Sequence, residues 1–178
     1  VAVAKALDKT PRDLVDNSAA ISMIQDLLVD QGAKLDHTQT HEDVMDHWAY
    51  PGVKVLRSLG VLDGGYDNNY YLDDAITMNR YQNMVNNAVK KAGFELSEKI
   101  YVNENVPARQ IIGTMARACI EIEGADTLEN DNDVYMQALK ERGIMTDELE
   151  SYFSDMEATP TAGAVTMLTA RSIVICLL

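Results

Sequence analysis

The sequence predicts a mainly α-helical protein, built from tandem repeats of a short helix, a polar loop and a longer helix packed into one bundle. Three observations carry that prediction. Apolar residues recur at three- and four-residue spacing in most segments of the 178-residue chain. Patterns that alternate apolar and polar residues, the mark of half-buried strands, are nearly absent. The chain also matches itself without a gap at an offset of 83 residues.

Composition sets the limits within which the elements are read. The length suits one domain or two small ones, and 47% hydrophobic residues suffice for a real core. A net charge of -13 argues against a nucleic-acid partner, since phosphate recognition needs clustered Lys and Arg. The same field repels anionic membranes, so a cationic partner, a divalent ion or plain solubility fits better. VAVAKALDKT lacks a basic start followed by a long apolar run, so no signal peptide is expected there. The Val at position 1 reads as a processed chain or a fragment. SIVICLL, at the other end, is too short to span a bilayer and reads as the buried end of a helix. Cys119 and Cys176 lie in apolar helical contexts and read as buried free thiols.

In chain order, residues 1–40 are predicted to form an N-terminal helix and linker. Ile21, Ile24 and Leu28 fall at helical spacing, Asp16, Asn17 and Ser18 offer capping oxygens, and Gly32 stops the run. Residues 41–93 then hold a short helix, with Pro51 and Gly52 in its first turn, Val55, Leu56 and Leu59 on its buried face, and Gly60 as its stop. A loop over 61–75, rich in Asp, Asn, Gly and Tyr, leads to a longer helix. Tyr81, Met84, Val85, Ala88 and Ala92 form the apolar stripe of that helix, and Gly93 closes it. Residues 94–125 are a connector, with an extended piece at 99–102, and a helix that has Pro107 in its first turn. Residues 126–178 are a loop at 127–134, a short helix from Tyr135 to Gly143, a loop through 144–158 and a final helix.

The self-match sets VKVLRSLGVL (53–62) on MQALKERGIM (136–145), Gly60 on Gly143, Tyr70 on Phe153, Ala75 on Ala158, Met84 on Met167 and Val85 on Leu168. A second offset, of 92, sets MIQDLLVDQGA (23–33) on MARACIEIEGA (115–125). A helix pair unable to bury its own stripe packs on its copy, so the halves are expected to share one core.

EDVMDHWA (42–49), VKVLRSLGVLDGG (53–65), the aromatic Tyr70 or Tyr71, and ITMNRYQNMVNNAV (76–89) together resemble the S-layer homology repeat. ALKERGIM (138–145), Phe153 and ATPTAGAVTMLTAR (158–171) resemble a second copy, with Asp131 where the first has Trp48. VPARQIIGTMARA (106–118) is similar to the opening of a third, shortened one. The resemblance covers most of 42–172 and implies an S-layer-homology-like helical bundle. It also implies non-covalent anchoring of a larger protein to an anionic, often pyruvylated, cell-wall polysaccharide at an extracellular surface.

In that family the Trp and the Arg of a Thr-Arg-Ala-Glu motif line sugar grooves between repeats. Carried over by position, the candidate glycan contacts are Trp48, Asp43 of the Asp-Val start and Gly65 of the loop. Arg80 and Arg109, which lie one or two positions from the motif Arg, complete the set. The Arg position itself holds Met78, Ala108 and Thr161, and the Glu position Arg80, Gln110 and Gly163. Loss of those residues opens a second expectation, a structural module that binds other subunits of a surface layer or virion.

No phosphate loop, nucleophile elbow or Cys-His pair is present, and the adjacent Asp73 and Asp74 lack a pocket signature, so no enzyme activity is expected. His37, His41 and His47 sit near acidic residues, but Met45 stands where a zincin helix needs its second His, so no metal centre is expected. The acidic runs 63–74 and 128–134 offer oxygens for weak calcium binding without the spacing of an EF-hand, and turn formation explains them more simply. Trp48, the single Trp, reads first as a core anchor and second as a sugar-stacking ring.

Overall fold

The computed structural model describes residues 46–58, 60–62, 70–91 and 93–176. The expected N-terminal helix and linker, Asp43 and Gly65 lie outside these residues. Helix α1 spans Tyr50–Ser58, α2 Met78–Lys91, α3 Ala108–Glu123, α4 Asn132–Glu141, α5 Asp147–Glu150 and α6 Ala162–Cys176, with a 3-10 turn at Ser151–Phe153. The described residues are thus mainly α, and a lone antiparallel bridge joins Ala75 to Thr161.

The long helices α2, α3 and α6 form because each carries an apolar stripe and a defined start. In α2, Tyr81, Met84, Val85, Ala88 and Val89 are buried. Thr77 Oγ1 accepts the amide of Arg80 at 3.2 Å, and Thr161 Oγ1 accepts that of Ala164 at 3.3 Å. Both supply an oxygen to the orphan donors of a helix start. Pro107, extended at φ -68° and ψ 150°, precedes α3. Every residue of α6 from Ala162 to Ile175 except Met167 is buried, as befits a helix apolar on all sides.

Two expectations need correction. Helix α4 starts at Asn132 rather than Tyr135, because Asp131 caps it, accepting the amides of Asp133 and Val134 at 2.8 and 3.2 Å. The segment 144–158, read as loop, contains α5, whose start is capped by Thr146 Oγ1 on the Leu149 amide at 3.2 Å. That oxygen, with buried Leu149 and Phe153, folds an otherwise acidic run onto the core.

The short helices end alike. The Gly60 amide bonds the Arg57 carbonyl and the Val61 amide that of Leu56, as the Gly143 amide bonds Lys140 and the Ile144 amide bonds Leu139. Both glycines are left-handed, at φ +73° and +74°, where a side chain is strained. The Gly60-on-Gly143 register therefore holds in the backbone. At the long helices it slips by one residue, since the capping role of Thr77 falls on Thr161 rather than Pro160.

The segments that precede the long helices pack on one another's helices in cyclic order, and two of them cover a helix start. Carbonyls of Leu72 and Asp74, before α2, accept the amides of Gly163 and Ala162 at the start of α6, both at 2.8 Å. Carbonyls of Ala158 and Met156, before α6, accept the amides of Ala108 and Arg109 at the start of α3, both at 2.9 Å. The connector before α3 in turn lies on α2. Asn86 bonds both the amide and the carbonyl of Ile100, and Gln82 accepts the amide of Val102. The short helices follow the same order, α1 packing on α6 and α4 on α3. One apolar cluster includes Leu56, Tyr81, Ile111, Leu139 and Leu168, so α1, α2, α3, α4 and α6 share a core. At its centre the Thr114 hydroxyl donates to the Gln110 carbonyl at 2.7 Å, leaving the Tyr81 hydroxyl to donate to Thr114 Oγ1 at 2.6 Å. Burial pushes that phenol well above its ordinary range.

Close approach at the α6 start makes Gly163 irreplaceable. A Cβ there would lie 2.9 Å from the Leu72 carbonyl oxygen and 3.3 Å from Ala49 Cβ. Gly163→Ala is expected to cost about 1–3 kcal/mol, as in other overpacked sites. Gly113→Ala, in mid-α3 with its nearest neighbour at an ordinary 3.4 Å, should be neutral or gain a few tenths to about 1 kcal/mol from helix propensity. Urea titration of both variants checks this, and equal losses would rule out the backbone clash.

Candidate functional site

The turn ahead of α1 supplies the aromatic residues. His47 Nδ1 accepts the Ala49 amide at 3.0 Å, which assigns the ring proton to Nε2, and Nε2 donates to Asp73 Oδ1 at 2.8 Å. The His47 side chain is largely enclosed and that of Asp73 open to solvent. This pairing gives His47 the helix-entry role and fixes the direction in which Trp48 leaves the turn. Trp48 is half-buried and touches both the main core cluster and a smaller one of Ala49, Val53, Tyr70 and Leu72. Its ring stacks on Tyr152, with centroids 4.2 Å apart and planes 13° from parallel, while the His47 ring lies 5.9 Å away. Tyr152 is 40% exposed, so the stacked pair leaves part of its aromatic surface open to solvent. Such a surface can take the apolar C–H side of a sugar ring.

Arg80 stands in the first turn of α2, half-buried. Burial pushes its guanidinium below the ordinary range, while the charge of Asp74 acts to raise it. Because Asp73 holds His47 and the charge of Asp74 acts on Arg80, the segment 72–75 links the Trp48 turn to Arg80. Arg109 belongs to a different junction, the start of α3. Its Nε donates to both carboxylate oxygens of Glu157, at 3.1 and 3.4 Å, so its charge is already paired. Of the five candidate contacts, the structure places Trp48 and Arg80 along one segment and Arg109 apart, with Asp43 and Gly65 outside the described residues.

Carried over by capping residue instead of by ungapped match, the resemblance falls on other positions of the last copy. With Thr161 as the capping residue, the Arg position of the last copy is Ala162 rather than Thr161, and the Glu position is Ala164 rather than Gly163. No copy gains an arginine by the shift. Gln110, at the Glu position of the middle helix, accepts the Asn103 amide at 2.7 Å and so holds the connector.

Among the described residues no three His, Cys, Asp or Glu side chains gather as a metal cluster would require. Asp131 and Asp133 of the second acidic run are the cap and first turn of α4. No helix among these residues is long and apolar enough to cross a membrane. A solvent-facing groove of about 350 Å³ runs between residues 96–101 and α3, lined by Lys99, Tyr101, Arg117 and Glu121 among others. Arg117 also lies over the Tyr135 ring, at 5.4 Å.

Sequence reasoning missed Tyr152 and the His47–Asp73 pair, because both depend on residues far apart in the chain meeting. No family model, curated protein or solved structure matches the chain.

Proposed function

We propose that the chain is a non-catalytic, S-layer-homology-like module that fastens a larger protein to an anionic cell-envelope polysaccharide at an extracellular cell surface. The cyclic order carries this reading: the segments before α2 and α6 cover the starts of α6 and α3, and the segment before α3 lies on α2. Three repeats closing head to tail would produce that pattern, and sugar grooves between repeats would open at those junctions. The Trp48–Tyr152 stack lies beside one of them and supplies the aromatic wall.

One observation favours a second reading, a structural module of a surface layer or virion that binds other protein subunits. The Arg position of the motif holds Met78, Ala108 and Ala162, and Arg109 is neutralised by Glu157. An acidic chain without those free cations is a poor match for an anionic glycan.

Sedimentation with purified sacculi, with and without their secondary polysaccharide, tests the first reading. Retention is expected only when the polysaccharide is present. Trp48→Ala and Tyr152→Ala should each weaken it by roughly tenfold, the equivalent of about 1.4 kcal/mol of lost stacking. Absence of retention on either preparation would end the glycan reading. Native mass spectrometry that finds only monomer at high concentration would end the other.

A further inference from the structure

Cys119 and Cys176 belong to two packed helices, α3 and α6. On α3, Met115, Ala118, Cys119 and Ile122 form the face toward α6, and Thr169, Ser172 and Ile173 of α6 line the same small cavity. One turn beyond Ser172 on that face is Cys176, and one turn beyond Cys119 is Glu123. Cys176 Sγ lies 3.7 Å from Glu123 Oε1, which places its thiol at the Cys119 end of the contact. The Cys119 thiol is near enough to act directly on that of Cys176. Arg142 holds the carboxylate in place, with Nε at 2.9 and 3.0 Å from the two Glu123 oxygens and Nη2 at 2.8 Å from one. Cys119 is buried, whereas Cys176 is partly open to solvent.

We infer that Cys119 and Cys176 form a reversible intramolecular disulfide that staples α3 to α6 when the protein meets a small-molecule disulfide. Only Cys176 is open to the oxidant, so the order of steps is fixed. The Cys176 thiolate attacks one sulfur of the oxidant, forming a mixed disulfide and expelling one small thiolate. Cys119 then gives up its proton and attacks the Cys176 sulfur, expelling the second. Two protein thiols and one disulfide become one protein disulfide and two small thiols, with no other oxidant required. The neighbouring Cys119 thiol first, and burial next, push the Cys176 thiol well above the ordinary range. Little thiolate therefore exists at neutral pH, and oxidation is slow there and accelerates as pH rises. The inference is independent of any glycan.

The full chain is incubated with oxidised glutathione at pH 7 and pH 9 and followed by intact mass and a non-reducing gel. The expected product is a monomer lighter by two hydrogens, formed faster at pH 9. Trypsin, which cuts after Arg117 and Arg171, should release the peptide beginning at Ala118 joined to the peptide beginning at Ser172. The closed loop should raise the thermal midpoint by roughly 5–10 °C. Cys119→Ser should stop at the glutathione adduct on Cys176, and Cys176→Ser should remain unmodified while folded. An adduct on the unaltered chain that never resolves, linkage only between chains, or two thiols that react only in denaturant would each overturn the inference.

Discussion

Phe153→Ala is expected to remove about 3–5 kcal/mol of unfolding free energy, the range for truncating a fully buried aromatic ring. Phe153 ends the 3-10 turn and is 1% exposed, inside the cluster that includes Leu139, Ile144 and Leu149. Its neighbours in sequence are mostly exposed and acidic, so this ring and Leu149 are the buried apolar anchors of residues 146–158. The segment ends in the Met156 and Ala158 carbonyls that bond the first amides of α3. Loss of the ring should therefore act at two levels. The urea midpoint should fall, and the amides of Ala108 and Arg109 should exchange faster than those in the middle of α3. Tyr152→Ala, the adjacent position with a 40% exposed ring, is the internal control and should cost under about 1 kcal/mol. Equal losses at the two positions would refute the anchoring role of Phe153.

The pattern that predicted the α2 stripe is physical in a direct sense. Tyr81, Met84, Val85 and Ala88 are buried because a 3.6-residue period sets them on one side, and that period is written in the sequence. The same holds for Gly60 and Gly143, whose left-handed conformations end α1 and α4 as the sequence implies. Segment 144–158 was less legible because its buried apolar residues, Ile144, Met145, Leu149 and Phe153, fall four residues apart after an initial pair, among acids, and set no long period. Its helix start rests on a single Thr146 oxygen. The one-residue slip between α2 and α6 was hidden for a related reason. Ungapped matching rewards apolar identity, and Met84-on-Met167 outscored the register that the capping threonines define.

The candidate site was legible only in part, since its geometry depends on long-range meetings. Trp48 stands out by its rarity, but its stacking partner lies more than a hundred residues away in a segment that reads as loop. His47 looked like a member of a histidine group, whereas Asp73 and the Ala49 amide occupy its two nitrogens. Charge pairing of Arg109 by Glu157 is equally invisible, because a sequence shows that both residues exist and not that they touch. Resemblance supplied positions for a sugar groove, and the structure changed which of those positions share a segment.

Arg171→Met is expected to cost about 2–4 kcal/mol, although it replaces a charge inside the protein with an apolar side chain of similar length. Replacing a buried charge by a hydrophobic residue is often neutral when its partners are removed as well. Here two of the partners are backbone carbonyls that cannot be removed. Arg171, 5% exposed in α6, donates from Nε to the Ile144 carbonyl at 2.8 Å and from Nη2 to the Gly143 carbonyl at 2.6 Å. These groups follow the end of α4, where the helix dipole is negative and a cation is favoured. Methionine would fill the space and leave those carbonyls without this donor, at about 1–3 kcal/mol for each buried group. Arg171→Lys keeps the charge but offers a compact ammonium in place of a planar fork, so it should recover less than half of the loss. Urea titration of the two variants separates the causes. If Lys restores full stability, charge at the α4 terminus is what matters, and if Met is neutral, neither the charge nor the fork holds α4 to α6.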